Sequence, residues 1–223
     1  RNAAPFPQTC RPPLKVELWV RQSGADLESV LGYHDGTEMR PRFRRSVGKL
    51  AALAGILSLF FGAELLIPQR SLYRWDTLVY TWPLAAEVKR QILTGHWPFW
   101  TDGICCGTPL LGNPRAAAFY PLNILWILLP LKAGYHLFLL AHVYLIFLST
   151  LLLLRHGFRL SLAAALAGAL AFGASGYVRA MWDTHNFAAL PWILLGLWAV
   201  TLAGRSRTIW GPAAGLSLVW SLM

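Results

Sequence analysis

The chain is poor in charge. Only 13% of its 223 residues are Asp, Glu, Lys or Arg, about half of what a soluble domain carries. Acids are scarcest: beyond residue 38 there are Glu64, Asp76, Glu87, Asp102 and Asp183, and no others. Cysteine is limited to Cys10, Cys105 and Cys106. No CxxC and no Cys/His metal spacing occurs, and adjacent cysteines rarely bridge each other, so Cys105 and Cys106 read as small packed thiols. Nucleic-acid motifs and basic–aromatic interleaving are missing too, which excludes RNA and DNA as partners. The net charge of +10 is clustered, with nine of the 20 basic residues before residue 50; that reads as membrane topology.

What is present is apolar: 56% of residues are hydrophobic, with 11 Trp. Residues 1–38 show no sustained period and predict no packed core. Met39, followed by RPRFRRSVGK, reads as a native start, which leaves 1–38 as upstream read-through or as a genuine cytoplasmic tail. No small-x-small cleavage site follows Leu50, so no cleavable signal is expected.

The pattern predicts a cytoplasmic N-terminal segment over 1–45 and a first span within 46–67, centred on Leu50 to Ile67. A large extracytoplasmic loop follows over 68–132, and spans two to five occupy 133–223. The second span is expected at 133–154, the third at 161–178 and the fourth at 187–203. A fifth begins near Ile209 inside an apolar run that reaches Met223, as in a fragment. Arg40, Arg42, Arg44, Arg45 and Lys49 place the N-terminus in the cytoplasm. The fold class is thus an all-α polytopic membrane protein of about five transmembrane helices. With this topology the five acids gather at the outer face.

The stretch Trp75 to Pro130 is too rich in Pro and Gly to cross a bilayer, yet it lies between runs that can. Thr77 to Thr94 reads as an amphipathic helix with Leu78, Val79, Trp82, Ala85, Ala86, Ile92 and Leu93 on one stripe. Glu87, Arg90 and Gln91 lie opposite. Pro83 suits a first turn and Gly95 a stop. Such a helix would lie apolar side down on the membrane. Pro121 to Leu131 is too short to span and reads as interfacial or re-entrant. His142 is expected to be neutral and bonded to a neighbouring helix. Asp76, between Trp75 and Tyr80, reads either as a helix N-cap or as a carboxylate that takes a hydroxyl proton or holds a divalent cation. Position alone favours the cap. Asp183 and His185 form an Asp-x-His pair that could join Asp76 on a metal or act as a cap. Asp102 reads as a turn residue.

The segments WDTLVYTWP, TGHWPFW and GTPLLGNPRAAAFYPLNILWILLP, with ASGYVRAMWDTHNFAALPWILLGLW further on, resemble the N-terminal signature of the YfhO family of bacterial polytopic membrane proteins. The resemblance covers roughly residues 45–223, and the long loop is its specific part. It implies a fold like that of the C superfamily of glycosyltransferases, which use sugars carried on polyprenyl phosphates. These enzymes place an acid just after the first span, here Asp76, with a partner acid often in the next outer loop, where Asp183 stands. The implied activity is sugar transfer from a polyprenyl-phosphate carrier to an extracytoplasmic glycan or polymer acceptor in the bacterial plasma membrane. Asp76 would be the catalytic base, or would hold Mg or Mn with Asp183. Arg115 and Arg179 would grip the carrier phosphate, bidentate contacts to which suit Arg, although both also suit lipid-headgroup anchoring. Trp75, Tyr80 and His185 would contact the sugar. Membrane lipid is the remaining partner. A transporter or flippase of a lipid-linked or polar solute, or a non-catalytic assembly subunit, is the competing class; a transporter predicts ionisable groups within spans and internal repeats.

Overall fold

The computed structural model describes residues 36–67, 77–104, 106–183 and 185–203. The chain divides into two compact units, Arg1–Gly48 and Lys49–Met223. Of the first, the described part is the start of helix α1 (Gly36–Phe61); everything below concerns the second.

The described chain is mostly helical. Helix α1 gives way to a 3-10 turn at Ala63–Leu66, so the expected first span is α-helical only as far as Phe61. Gly62 at this junction lets Leu140 approach closely: a Cβ there would lie 2.7 Å from Leu140 Cδ1. A π-turn at Thr77–Thr81 leads into α2 (Trp82–Leu93). A hairpin of two-residue strands follows, β1 (Trp100–Thr101) antiparallel to β2 (Thr108–Pro109), which an all-α reading did not include. A 3-10 turn at Pro121–Asn123 opens α3 (Ile124–Leu128). Then come α4 (Leu131–Leu152), a π-turn at Leu153–Gly157, α5 (Leu162–Gly173) and α6 (Gly176–Ala180). Short 3-10 turns at Met181–Asp183 and His185–Ala189 precede α7 (Leu190–Ala203).

Among the described residues two segments are long and apolar enough to cross a membrane, Leu131–Gly157 and Leu162–Ala180. The expected fourth span appears as a shorter apolar helix, Phe187–Leu202, and the expected fifth lies outside the described residues. The third is interrupted at Ala174–Ser175. Ser161 and Ser175 each accept a bond from the backbone N–H three residues on, so two capped helices replace one run.

Helix α4 is the axis of the unit and packs against α3, α5 and α7. Its buried face includes His142, Val143, Ile146, Phe147 and Leu151. Phe61 of α1 stacks on Phe147 at 5.6 Å between centroids, and Gly173 of α5 is held so close that a Cβ would lie 2.5 Å from the Phe147 ring. Small residues let these helices approach, as they do in lipid.

The loop is built as a plate. Helix α2 buries Leu84, Ala85, Val88 and Gln91 and leaves Leu93 exposed, as Leu78 and Val79 are in the π-turn before it. Gln91, expected opposite the apolar stripe among solvent-facing residues, is buried because its Nε2 donates to Glu87 Oε1 and to Trp100 O, both at 2.8 Å, tying α2 to β1. The Arg90 guanidinium meets the Glu87 carboxylate at 2.6 and 2.8 Å and holds it down at about 2, with Gln91 and Thr101 adding to the effect. This clamp is complete at neutral pH and is lost only as pH falls from roughly 4 towards 2. Lys89 Nζ donates to Trp126 O at 3.0 Å and also to Leu129 O, so α2 neutralises the carbonyl end of α3.

Candidate functional site

Between this plate and the helices lies one recess. It is lined by Thr81 and Ala85, by Arg115, Ala116, Asn123 and Trp126 of the loop, by Tyr135, Phe138 and Leu139 of α4, and by Phe187 and Ala188. It has about 410 Å³ of empty space, part of it open to solvent. Its closed interior has room for about one water.

Arg115 stands at the mouth. Its guanidinium carbon lies 4.8 Å above the Tyr80 ring, a cation–π contact, and its backbone N–H is held by Asn113 Oδ1 at 2.9 Å. Asn123, fully packed, donates from Nδ2 to Ala117 O at 2.7 Å and accepts from Trp126 Nε1 at 3.1 Å. It thereby pins the turn in which Ala117 takes φ +41°. Two residues assigned separately from sequence, Tyr80 and Arg115, are therefore brought together.

Behind the recess is a buried chain of hydrogen bonds. Trp192 Nε1 donates to Tyr120 Oη at 2.8 Å, and Tyr120 Oη lies 2.7 Å from His142 Nε2. The tyrosine oxygen accepts from the indole N–H and donates its own hydrogen to His142 Nε2, the acceptor nitrogen of a neutral ring whose Nδ1 faces a carbonyl. His142 Nδ1, 2.7 Å from Phe138 O, then carries the imidazole hydrogen. His142 is thus bonded to the loop and to its own helix. Tyr120→Phe keeps the ring but removes both hydroxyl bonds. It should cost about 1–3 kcal/mol, read as earlier thermal unfolding in detergent, and unchanged unfolding would show that the bonds contribute nothing.

Arg179 is placed elsewhere. Its Nη2 meets Glu64 Oε1 at 2.5 Å and its guanidinium covers Trp182 at 5.3 Å, so it joins α6 to the end of α1. Neither this ion pair nor the Tyr120 chain is visible as a spacing in sequence, because the partners are far apart along the chain.

Asp76 and Trp75 lie outside the described residues. Asp183 and His185 have described backbone in the 3-10 turns, but their side chains lie outside the described set. Among the described residues no three His, Cys, Asp or Glu side chains converge. Asp102 sits in the bend after β1 and accepts from Trp100 Nε1 at 2.7 Å. Cys106, expected to be packed, is exposed and free, in the segment between β1 and β2, with a φ of +59°.

Comparison with protein-family models, curated proteins and solved structures found no match.

Proposed function

We propose that this chain is a YfhO-like membrane glycosyltransferase, which moves a sugar from a polyprenyl-phosphate carrier to an extracytoplasmic glycan or polymer. In this reading it is a multi-pass protein of the bacterial plasma membrane with its N-terminus in the cytoplasm. The observation that carries the reading is the composition of the recess. Thr81 and Ala85 follow Asp76 closely in sequence, Phe187 and Ala188 follow Asp183 and His185, and all four contribute walls to one recess. The recess thus joins two described stretches that each follow a candidate acid in sequence, with Arg115 among its lining.

In this mechanism the carrier's prenyl chain lies in lipid and its phosphate meets Arg115 at the rim. Asp76 accepts the proton of the incoming acceptor hydroxyl as the sugar–phosphate bond breaks. A divalent cation, Mg or Mn, would be held by Asp76 and Asp183 and would offset phosphate charge. Tyr80, held beneath Arg115, offers a ring to the sugar alongside Trp75 and His185. Arg179 is engaged by Glu64, which makes Arg115 the better phosphate ligand of the two.

The test is sugar transfer from a labelled polyprenyl-phosphate sugar by membranes containing the full-length protein. Arg115→Ala should raise KM for the carrier about 10–100-fold, the worth of a charge-assisted hydrogen bond. An unchanged KM would take Arg115 out of the site. Solute movement without sugar transfer would favour the transporter instead.

A further inference from the structure

Three aromatic side chains of the loop form an exposed ledge that no part of the proposed reaction uses. Trp97 is 67% exposed, Phe99 55% and Phe119 39%. They are a single cluster: Trp97 stacks on Phe99 at 6.3 Å with a 23° tilt, and meets Phe119 at 5.9 Å. Leu111, also exposed, is held beside them through its backbone N–H to Phe99 O at 3.5 Å. A solvated loop has no reason to keep such a surface bare, and a contiguous apolar patch marks an interaction site.

The height of the ledge along α4 shows what covers it. Phe119 adjoins Tyr120, and the Tyr120 hydroxyl is bonded to His142 in the body of α4. Take Arg155, in the π-turn after α4, as one edge of the hydrocarbon. At 1.5 Å per residue, a slab of about 30 Å then ends near Tyr135. His142 lies roughly 10 Å inside that edge. Tyr120 therefore reaches below the boundary on the loop side, and Phe119, one residue away and turned outward, sits in the interfacial layer. Trp and other aromatic rings concentrate at that level of a membrane protein.

We infer that the Trp97–Phe99–Phe119 ledge is embedded in the lipid interface, so that the loop plate is anchored in the bilayer instead of standing clear of it. Irregular backbone at that depth is tolerable where it is packed on protein, and Tyr120 and Asn123 are buried against α4 and α3. The inference rests on Leu131–Gly157 crossing the membrane and is independent of sugar transfer.

The experiment uses the full-length protein in nanodiscs of phosphatidylethanolamine and phosphatidylglycerol, with Cys10, Cys105 and Cys106 replaced by Ser. An environment-sensitive dye is placed on Phe99→Cys, Phe119→Cys or, as an in-bilayer reference, Leu170→Cys in α5. The two ledge labels should show blue-shifted emission, quenched more by shallow than by deep spin-labelled lipid. Trp97→Phe, free of any label, should reduce shallow quenching of intrinsic tryptophan fluorescence. Water-like emission and no quenching at the ledge, with Leu170 quenched, would overturn the inference. So would a blue shift produced only by added dextran, which would make the ledge a glycan platform. A reference label at Leu170 that lipid does not quench would remove the spanning helices and the ledge together. A lipid-quenched ledge on a protein inactive in sugar transfer would retire the enzymatic reading alone.

Discussion

Asp76→Asn is expected to lower sugar transfer by about 10²–10⁴-fold, the usual worth of a positioned general base, with little loss of folded protein. The substitution separates the two roles open to this residue. Asn caps a helix about as well as Asp, so an N-cap alone predicts near-normal activity and normal abundance. A base or a metal ligand loses both its charge and its proton-accepting oxygen, while size and capping persist. Thr77, the next residue, is buried at the start of the π-turn, and the same turn delivers Thr81 to the recess. The full-length variant would be assayed for transfer from the polyprenyl-phosphate carrier, with membrane abundance measured alongside. Wild-type activity at normal abundance would remove Asp76 from the mechanism.

The largest effect on stability is expected at Gly134. Helix α4 begins flush against α3, and a Cβ on Gly134 would lie 2.3 Å from Trp126 Cα and 2.6 Å from Leu125 O. Those obstacles are backbone and cannot rotate away. Lys89 holds α3 from the other side through Trp126 O and Leu129 O, so α3 cannot retreat without breaking that contact. Gly134→Ala should therefore cost about 3 kcal/mol, the upper end for overpacking, and separate the loop plate from α4. Gly196→Ala is the control: its Cβ would meet nothing within 4 Å, and Ala in a helix is worth about 1 kcal/mol over Gly. Thermal unfolding in detergent should drop steeply for the first and hold or rise for the second. Equal unfolding temperatures would mean that α3 is not seated where the backbone places it.

The sequence made the helices of the second unit legible because hydrophobic runs and their punctuation are local signals. The second span, expected at 133–154, is a helix from Leu131 to Leu152 extended by the π-turn. Pro121 to Leu131, too short to cross, became a 3-10 turn and a five-residue helix. Helix α2 was anticipated from its membrane-facing stripe, but the burial of Gln91 on the opposite side was not. Gln91 looked like a solvent residue until β1 supplied a carbonyl for its amide, and a long-range partner of that kind leaves no periodic trace. The same holds for the site. Tyr80 and Arg115 were each picked out for chemistry, yet their contact depends on how the Asn113–Asn123 turn folds back. His142 drew notice as a polar residue in an apolar run, while Tyr120 and Trp192, which complete its hydrogen bonds, looked like ordinary core aromatics.

The tightness of the recess has a kinetic consequence. A hexose is far larger than the single water its closed interior admits, so under the proposed sugar transfer a sugar reacting beyond the rim would have to wait for the plate to lift from α4. Lifting would detach Tyr120 from His142 and Trp192 and, with the ledge seated as inferred above, would draw Trp97, Phe99 and Phe119 through lipid. Turnover limited by that step would respond to the order of the acyl chains: slower in stiff, saturated bilayers and faster in fluid ones, with the chemistry of the leaving phosphate unchanged.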